Sequence, residues 1–393
     1  MNQYHRIIII LCLISSVTRF VLDSYLPSIP ALREYFVINP IEVQSTLTLY
    51  LFGFGVSQLI YGPLSDVYGR RKILIIGLSI FLLGNILCSI ATTKEMLFFA
   101  RLLTGVGAGA CGVLNRAIAA DYFKGTTFAK AWSITSTSLV ITLCLAPVIG
   151  GYIQEYWDWR GNFITSTVYV FIVLGMIIKY LPETNPEINL TQFNSRKILK
   201  DYQHVLANQT FIIGAVSYTL AFSGLIAYFQ ISPILFIENM HLTPSQYGWY
   251  SLIIATMYLF GGLIVNRYSE WVSTRKLLVF GIWLLILGGF LMFVAYQLHY
   301  VHIIAILIPA SIFVIGARIV IPNAITNSME EIQHLKGSSS ALLGFIQMAG
   351  SGMISFVIAK FNHSTSLPLA VLFLIIGCTL LTITLTYSAE KYS

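Results

Sequence analysis

Gly62-Pro63-Leu64-Ser65-Asp66-Val67-Tyr68-Gly69-Arg70-Arg71-Lys72 stands between two apolar runs, Leu47 to Tyr61 and Ile73 to Ile90. Small residues, one acid and three consecutive cations are compressed into a turn between two hydrophobic segments. Gly62 and Gly69 let backbones approach closely or turn sharply. Asp66, at the end of one helix, can face the N-terminus of a neighbouring one. Arg70, Arg71 and Lys72 lie where cations hold a loop on the cytoplasmic side of a bilayer.

The composition points the same way. Charged residues make up 10% of the chain, against roughly 25% in soluble domains, so there is too little charge to cover a water-soluble surface. The chain offers instead apolar stretches of about 18 to 25 residues, the length that crosses a hydrocarbon layer. A net charge of +7 would fit nucleic-acid binding only if the cations were clustered, and they decorate the ends of apolar segments. Cys12, Cys88, Cys111, Cys144 and Cys378 all fall within apolar stretches without CxxC spacing, which implies neither a disulfide framework nor a zinc site. The seven histidines, His299 and His302 among them, lie near span ends, so no metal site, catalytic pairing or cofactor is expected. The N-terminal run has no small-residue cleavage site and continues into Asp23 and Pro27; it reads as a retained first helix.

These stretches predict an all-α membrane protein with twelve spans, near 6–34, 43–65, 73–92, 96–119, 131–152, 162–181, 209–236, 246–266, 277–297, 302–323, 338–360 and 366–387. One long polar connection, Glu183 to about Asn208, divides them into two blocks of six: 1–182 and 209–393, with 183–208 as a cytoplasmic linker. Such a division fits two pseudo-symmetric halves related by an axis along the membrane normal. Asn266 to Lys276 occupies in the second block the place of the quoted loop and keeps Arg267, Arg275 and Lys276. With the N-terminus inside, fifteen loop cations fall on the cytoplasmic side (Arg6, Arg70, Arg71, Lys72, Lys124, Lys130, Lys179, Arg196, Lys197, Lys200, Arg267, Arg275, Lys276, Lys336 and Lys391). Only four (Arg33, Lys94, Arg160 and Lys360) fall opposite. That bias places both termini in the cytoplasm.

Charge at membrane depth is costly and needs a reason. Fifteen of the sixteen acids fall in loops or at span ends; Asp23 does not. Desolvated there, a carboxylate has its pKa raised toward the physiological range and can take and release a proton. Arg19, one helical turn away, can pair with it, either for packing alone or to tune that proton. Arg101 opens a span in which Gly105, Gly109 and Gly112 form a face of small residues that permits close helix contact. Arginine stays charged, so Arg101 is read as modulating a nearby acid, or as snorkelling from a span end. In Leu145-Ala146-Pro147-Val148-Ile149-Gly150-Gly151 the proline removes a hydrogen bond beside a glycine pair, giving a bendable, closely packed helix.

The quoted loop resembles the signature loop between the second and third helices of the major facilitator superfamily. Asp23-Ser24-Tyr25-Leu26-Pro27 is similar to the first helix of drug/proton antiporters of the Bcr/CflA type, where the acid belongs to the substrate and proton region. Arg101 to Ala110 resembles the fourth-helix motif of proton-coupled members, and Arg116 also has a counterpart there. The segment around Pro147, Gly150 and Gly151 resembles the antiporter motif, with Ala146 where glycine is common. Trp159-Arg160 and Leu181-Pro182-Glu183-Thr184 are further landmarks. The likeness covers the first half by motif and the second mainly by span pattern, with Ile321-Pro322-Asn323-Ala324 its best local match.

The resemblance implies a proton-coupled antiporter, working as a monomer in a bacterial inner membrane and exporting small lipophilic or cationic compounds by alternating access. Asp23, Arg19, Arg101 and Arg116 would couple protons; Gly62, Asp66, Gly69, Arg70 and Arg71 would gate the change of conformation. Aromatic and thioether surfaces hold flat or lipophilic molecules without strict geometry, which makes Tyr25, Asn115, Tyr218, Phe222, Tyr228, Gln230, Arg318 and Met348 candidates for the cavity wall. Phe229 lies in the same aromatic run. A dedicated exporter of a cell-made metabolite such as a siderophore, anchored on Arg318 and Arg101, is the alternative; an uptake symporter fits the Pro147 segment less well. An integral-membrane enzyme would need clustered acids, histidines or cysteines, and a sensor would usually add a soluble domain.

Overall fold

The computed structural model describes residues 3–185, 195–269, 271–329, 336–361 and 365–390. Pro186 and the rest of 186–194 in the connection between the halves, and Lys391 near the other end of the sequence, lie outside the described residues. The described chain is helical: α1 Gln3–Asp23, α2 Ile29–Phe36, α3 Pro40–Tyr68, α4 Arg70–Ser89, α5 Lys94–Tyr122, α6 Gly125–Tyr180, α7 Ser195–Ala207, α8 Gln209–Pro233, α9 Pro244–Tyr268, α10 Thr274–Gln297, α11 Ile303–Met329, α12 Lys336–Ala359 and α13 Leu367–Glu390. Eleven helical stretches among the described residues are long and apolar enough to cross a membrane. α6 is 56 residues long and its backbone leaves helical geometry at Asp158, so it supplies two crossings and brings the number to twelve.

Two expected segments are corrected in detail. The first span is not one helix over 6–34. α1 ends at Asp23, a 3-10 turn covers Leu26–Ser28, and α2 resumes at Ile29. Pro27 and Pro30 explain the break, because neither can donate into the preceding turn. The seventh span continues past Pro233 as a π-helical stretch, Ile234–Asn239.

Helix starts follow local chemistry. At α3, Asn39 Oδ1 accepts from the Glu42 backbone N–H while Glu42 reaches back to the Asn39 N–H, with Pro40 in the first turn. At α9, Thr243 and Gln246 form the same reciprocal cap ahead of Pro244. Both satisfy donors that a helix start leaves free.

The two halves meet along two helix pairs, α3 with α12 and α6 with α9. Exposed Phe171, Leu263, Phe290 and Ile375 form part of an apolar outer surface suited to lipid. The amphipathic α7 packs beside α8 and α12. From it Tyr202 donates to the Leu59 carbonyl oxygen at 3.0 Å, and burial pushes that phenol up to about 12.

Candidate functional site

Asp23 is 1% exposed and is the only buried carboxylate among the described residues. The break after α1 puts it at a helix end. Arg19 Nε lies 2.5 Å from Asp23 Oδ2, the contact that spacing of four residues on a helix predicts. A cavity of about 70 Å3 lies between the halves, lined by Arg19, Leu139, Leu143, Phe222, Leu225, Ile226, Phe229, Ile254, Ala255, Tyr258 and Val314. Arg19 therefore connects the buried acid to the interface of the halves.

Arg101 is fully buried rather than snorkelling, and it forms no ion pair with an acid among the described residues. Its guanidinium lies 4.0 Å from the Tyr25 ring centre, 4.9 Å from that of Tyr50 and 5.9 Å from that of Phe163. The ring faces supply the electrostatic partner. Tyr50 also donates to the Thr18 carbonyl oxygen at 3.5 Å, next to Arg19 in the chain. Arg116 is exposed and lies 5.8 Å from the Trp132 ring centre, not at the Asp23 pair.

Of the eight wall candidates, Phe222 alone lines this cavity. Tyr25 is under Arg101, and Asn115 donates to the Ser15 hydroxyl on α1. Tyr218 and Tyr228 pack against Phe222 and Phe229. Gln230 is buried; its Nε2 donates to Gln44 Oε1 at 3.1 Å, and Ser355 donates to its Oε1, so it ties α8 to α3 across the halves. Met348 packs on the core of the first half. Arg318 is half-buried, 5.2 Å from the Tyr258 ring centre. Phe229 was legible as part of an aromatic run, whereas Tyr258 reaches the cavity from α9 without any sequence signal.

At the loop, Gly69 has φ 96°, a conformation that glycine takes without strain. Gly62 is not tightly packed: a Cβ there would stand 3.7 Å from Val113. Arg70 pairs with Asp66, its Nε donates to Asp121 Oδ2 at 3.0 Å, and its Nη1 donates to Ser65 Oγ at 2.6 Å. The acid at a helix N-terminus is Glu183, not Asp66. Glu183 accepts from the backbone N–H groups of Arg70 at 2.9 Å and Arg71 at 3.2 Å, the first two residues of α4, where the helix dipole favours negative charge. Asp121 and Glu183 are thus additions to the expected cluster.

The Pro147 segment lies where the halves touch at the other end. A Cβ on Gly151 would collide with the Pro244 carbonyl, one on Gly150 with the Ser24 carbonyl, and one on Gly248 would lie 2.7 Å from the Pro147 oxygen. Around it, Glu155 accepts from the Ser245 N–H at 3.0 Å, and Arg33 pairs with Glu238 from the opposite half. A vestibule of about 650 Å3 opens there, lined in part by Pro27, Arg33, Glu34, Gln154 and Glu238.

The model of the Major Facilitator Superfamily matches residues 11–355. The chain is 26% identical over 372 residues to multidrug resistance protein D of Escherichia coli K12, covering 95% of this chain and 93% of that protein. It is 22% identical to a bicyclomycin resistance protein homolog of Haemophilus influenzae, covering 97% and 95%. Its fold matches a crystal structure of a D-xylose–proton symporter with a TM-score of 0.77 at 13% identity, covering 96% of this chain and 97% of that one. The family match spans most of the chain and its relatives are transporters, so the chain belongs to the Major Facilitator Superfamily as a membrane transporter, not an enzyme.

Proposed function

We propose that this protein is a proton-driven exporter of small lipophilic compounds, working by alternating access in a bacterial inner membrane with both termini in the cytoplasm. The observation that carries the reading is the buried Asp23–Arg19 pair at the wall of the cavity between the halves. A carboxylate that gains and loses a proton there changes the charge at the interface on which the halves rock. Relatives named for multidrug and bicyclomycin resistance, together with the Pro147–Gly151 contact between α6 and α9, support outward transport. Asp23 is the proton carrier, Arg19 its partner, and Arg101 with Tyr25 and Tyr50 fixes the field around it. The chain works as a monomer, its two halves supplying both walls of the cavity.

The test is proton release from everted vesicles while a chemically diverse panel of compounds is added, with accumulation measured in intact cells. Expression should lower accumulation of any compound that elicits proton release, and an uncoupler should restore it. Accumulation that rises on expression and falls with the uncoupler would make the protein an importer.

A further inference from the structure

The cavity between the halves has one charged lining residue, Arg19, and it is a cation. Asp23, 2% exposed at its side chain, sits behind Arg19 and is already paired through Nε. The two terminal nitrogens of Arg19 make no hydrogen bond to a protein acceptor among the described residues, and that side chain is 14% exposed. Arg19 therefore brings to the lining two unpartnered terminal nitrogens on an ion pair that is neutral overall.

A cationic cargo would meet a fixed cation, since the one charged side chain of the lining is Arg19 and no carboxylate lines the cavity. Of the lining rings, Tyr258 already faces Arg318, and Phe222 and Phe229 share the same small space with Arg19. A second cation stacked on those two rings would stand close to the Arg19 charge, and like charges repel. An anionic cargo at Arg19 would share that cation with Asp23, and like charges at one site repel. We propose that the cargo is an uncharged lipophilic molecule with a strong hydrogen-bond acceptor, a carbonyl, sulfonyl or phosphoryl oxygen, received by the terminal nitrogens of Arg19 while Phe222, Phe229 and Leu143 hold its apolar body. The proposal rests on the export reading and narrows it.

The same geometry makes proton and cargo oppose one another. With Asp23 ionised, the pair is neutral and the cavity suits an uncharged guest. With Asp23 protonated, Arg19 is an uncompensated cation that needs water, and an apolar guest excludes water from it. The titratable and charged groups around the pair are Tyr50 on α3, bonded to the Thr18 carbonyl, Arg101 on α5 over the Tyr25 and Tyr50 rings, and Tyr258 on α9 in the cavity with Arg19. None of these is a second acid. Opposed binding is reciprocal, so cargo must expel the proton as strongly as the proton expels cargo. At about 70 Å3 the cavity is contracted, and the halves must part to admit the whole molecule.

The experiment uses the purified full chain and three probes of similar aromatic bulk: triphenylphosphine oxide (neutral, with a phosphoryl acceptor), tetraphenylphosphonium and tetraphenylborate. Binding is measured by equilibrium dialysis at pH 6 and pH 8, and proton release with a dye in weak buffer. The oxide should bind at least about tenfold tighter than either ion, more weakly at pH 6, and with release of a proton. Arg19→Gln should erase the preference for the oxide. Arg19→Lys, which keeps the charge but not the planar fork, should reduce it, and serves if the first variant does not fold. Tighter binding of either ion, an unchanged preference in both variants, or binding of none of the three overturns the proposal. Proton release driven by tetraphenylphosphonium alone sinks it while leaving export standing. Selective oxide binding without proton release at pH 6 overturns the opposition of proton and cargo, whereas the export reading stands or falls on the accumulation measurement.

Discussion

Asp23 carries more of the argument than any other side chain, and its consequences are local. A buried carboxylate 2.5 Å from one guanidinium nitrogen is stable in that place only while the pair is intact or the acid is protonated. Asp23→Asn removes the titration and keeps the shape. We expect pH-driven transport to fall to vesicle background while counterflow of the same compound stays within a few fold. Wild-type pH-driven rates in that variant would remove Asp23 from the mechanism. Arg19 and Asp23 could be paired from their spacing alone, because four residues on a helix bring side chains together. That Arg19 rather than Asp23 faces the cavity was not legible. The rotation of α1 is set by what packs on it, including Ser15 bonded to Asn115 and Ser16 bonded to Tyr169.

Elements show where stress and closure are concentrated. Asp158 has φ 61° and ψ 179°, a region that only glycine enters freely, at a cost of order 1–3 kcal/mol for other residues. It turns α6 from one crossing to the next, delivering buried Trp159 to Phe36 and Phe163 and placing Arg160 against Tyr35. Asp158→Gly should raise thermal stability in detergent by about 1 kcal/mol. The approach to melting is read by fluorescence-detected size exclusion after heating. A lower midpoint would show that the Asp158 side chain, through its contact with Gln154, outweighs the backbone cost. The loop after α3 is a second such element. Asp66→Asn and Glu183→Gln loosen the same cluster from two sides, the first at the Arg70 pair and the second at the start of α4. Both should slow transport strongly and leave the cargo dissociation constant within a few fold, with cysteine accessibility rising at that end. Normal turnover and unchanged accessibility in both would reduce the loop to a topology anchor.

At the scale of the whole molecule, one buried apolar cluster reaches from Tyr25, Leu143 and Trp159 in the first half to Tyr228 and Phe236 in the second, and polar contacts that can be exchanged join the halves as well. Gln230 with Gln44, Glu155 with the Ser245 N–H, and Arg33 with Glu238 all cross between halves. A transporter must break such contacts once per cycle, so each is strong enough to hold and weak enough to release. Arg33 and Glu238 stand at the vestibule end, Arg33 ten residues past Asp23 and Glu238 in the opposite half. Replacing both by cysteine and oxidising should stop transport, and a reducing agent should restore it. Undiminished transport in the fully oxidised protein would mean that this end does not open. Binding of cargo at equilibrium should persist in the oxidised form when it is offered from the loop end.

Length and hydropathy determined the twelve crossings, since a bilayer fixes how much apolar chain is needed and local composition supplies it. The basic turn at Gly69–Lys72, the proline break near Asp23 and the close-packing glycines were also legible, because each is a property of a few consecutive residues. The tertiary structure alone decided which side chains share the cavity. Phe222 and Tyr258 come together from α8 and α9, Glu183 finds α4 over a hundred residues back, and Arg101 lies among rings from α3, α6 and the turn after α1. Sequence patterns fix which face of a helix is apolar, yet in a membrane nearly every face is. The rotation that turns Arg19 toward the cavity and Arg116 outward is chosen only by close contact between helices, through small residues and hydrogen bonds distant in the chain.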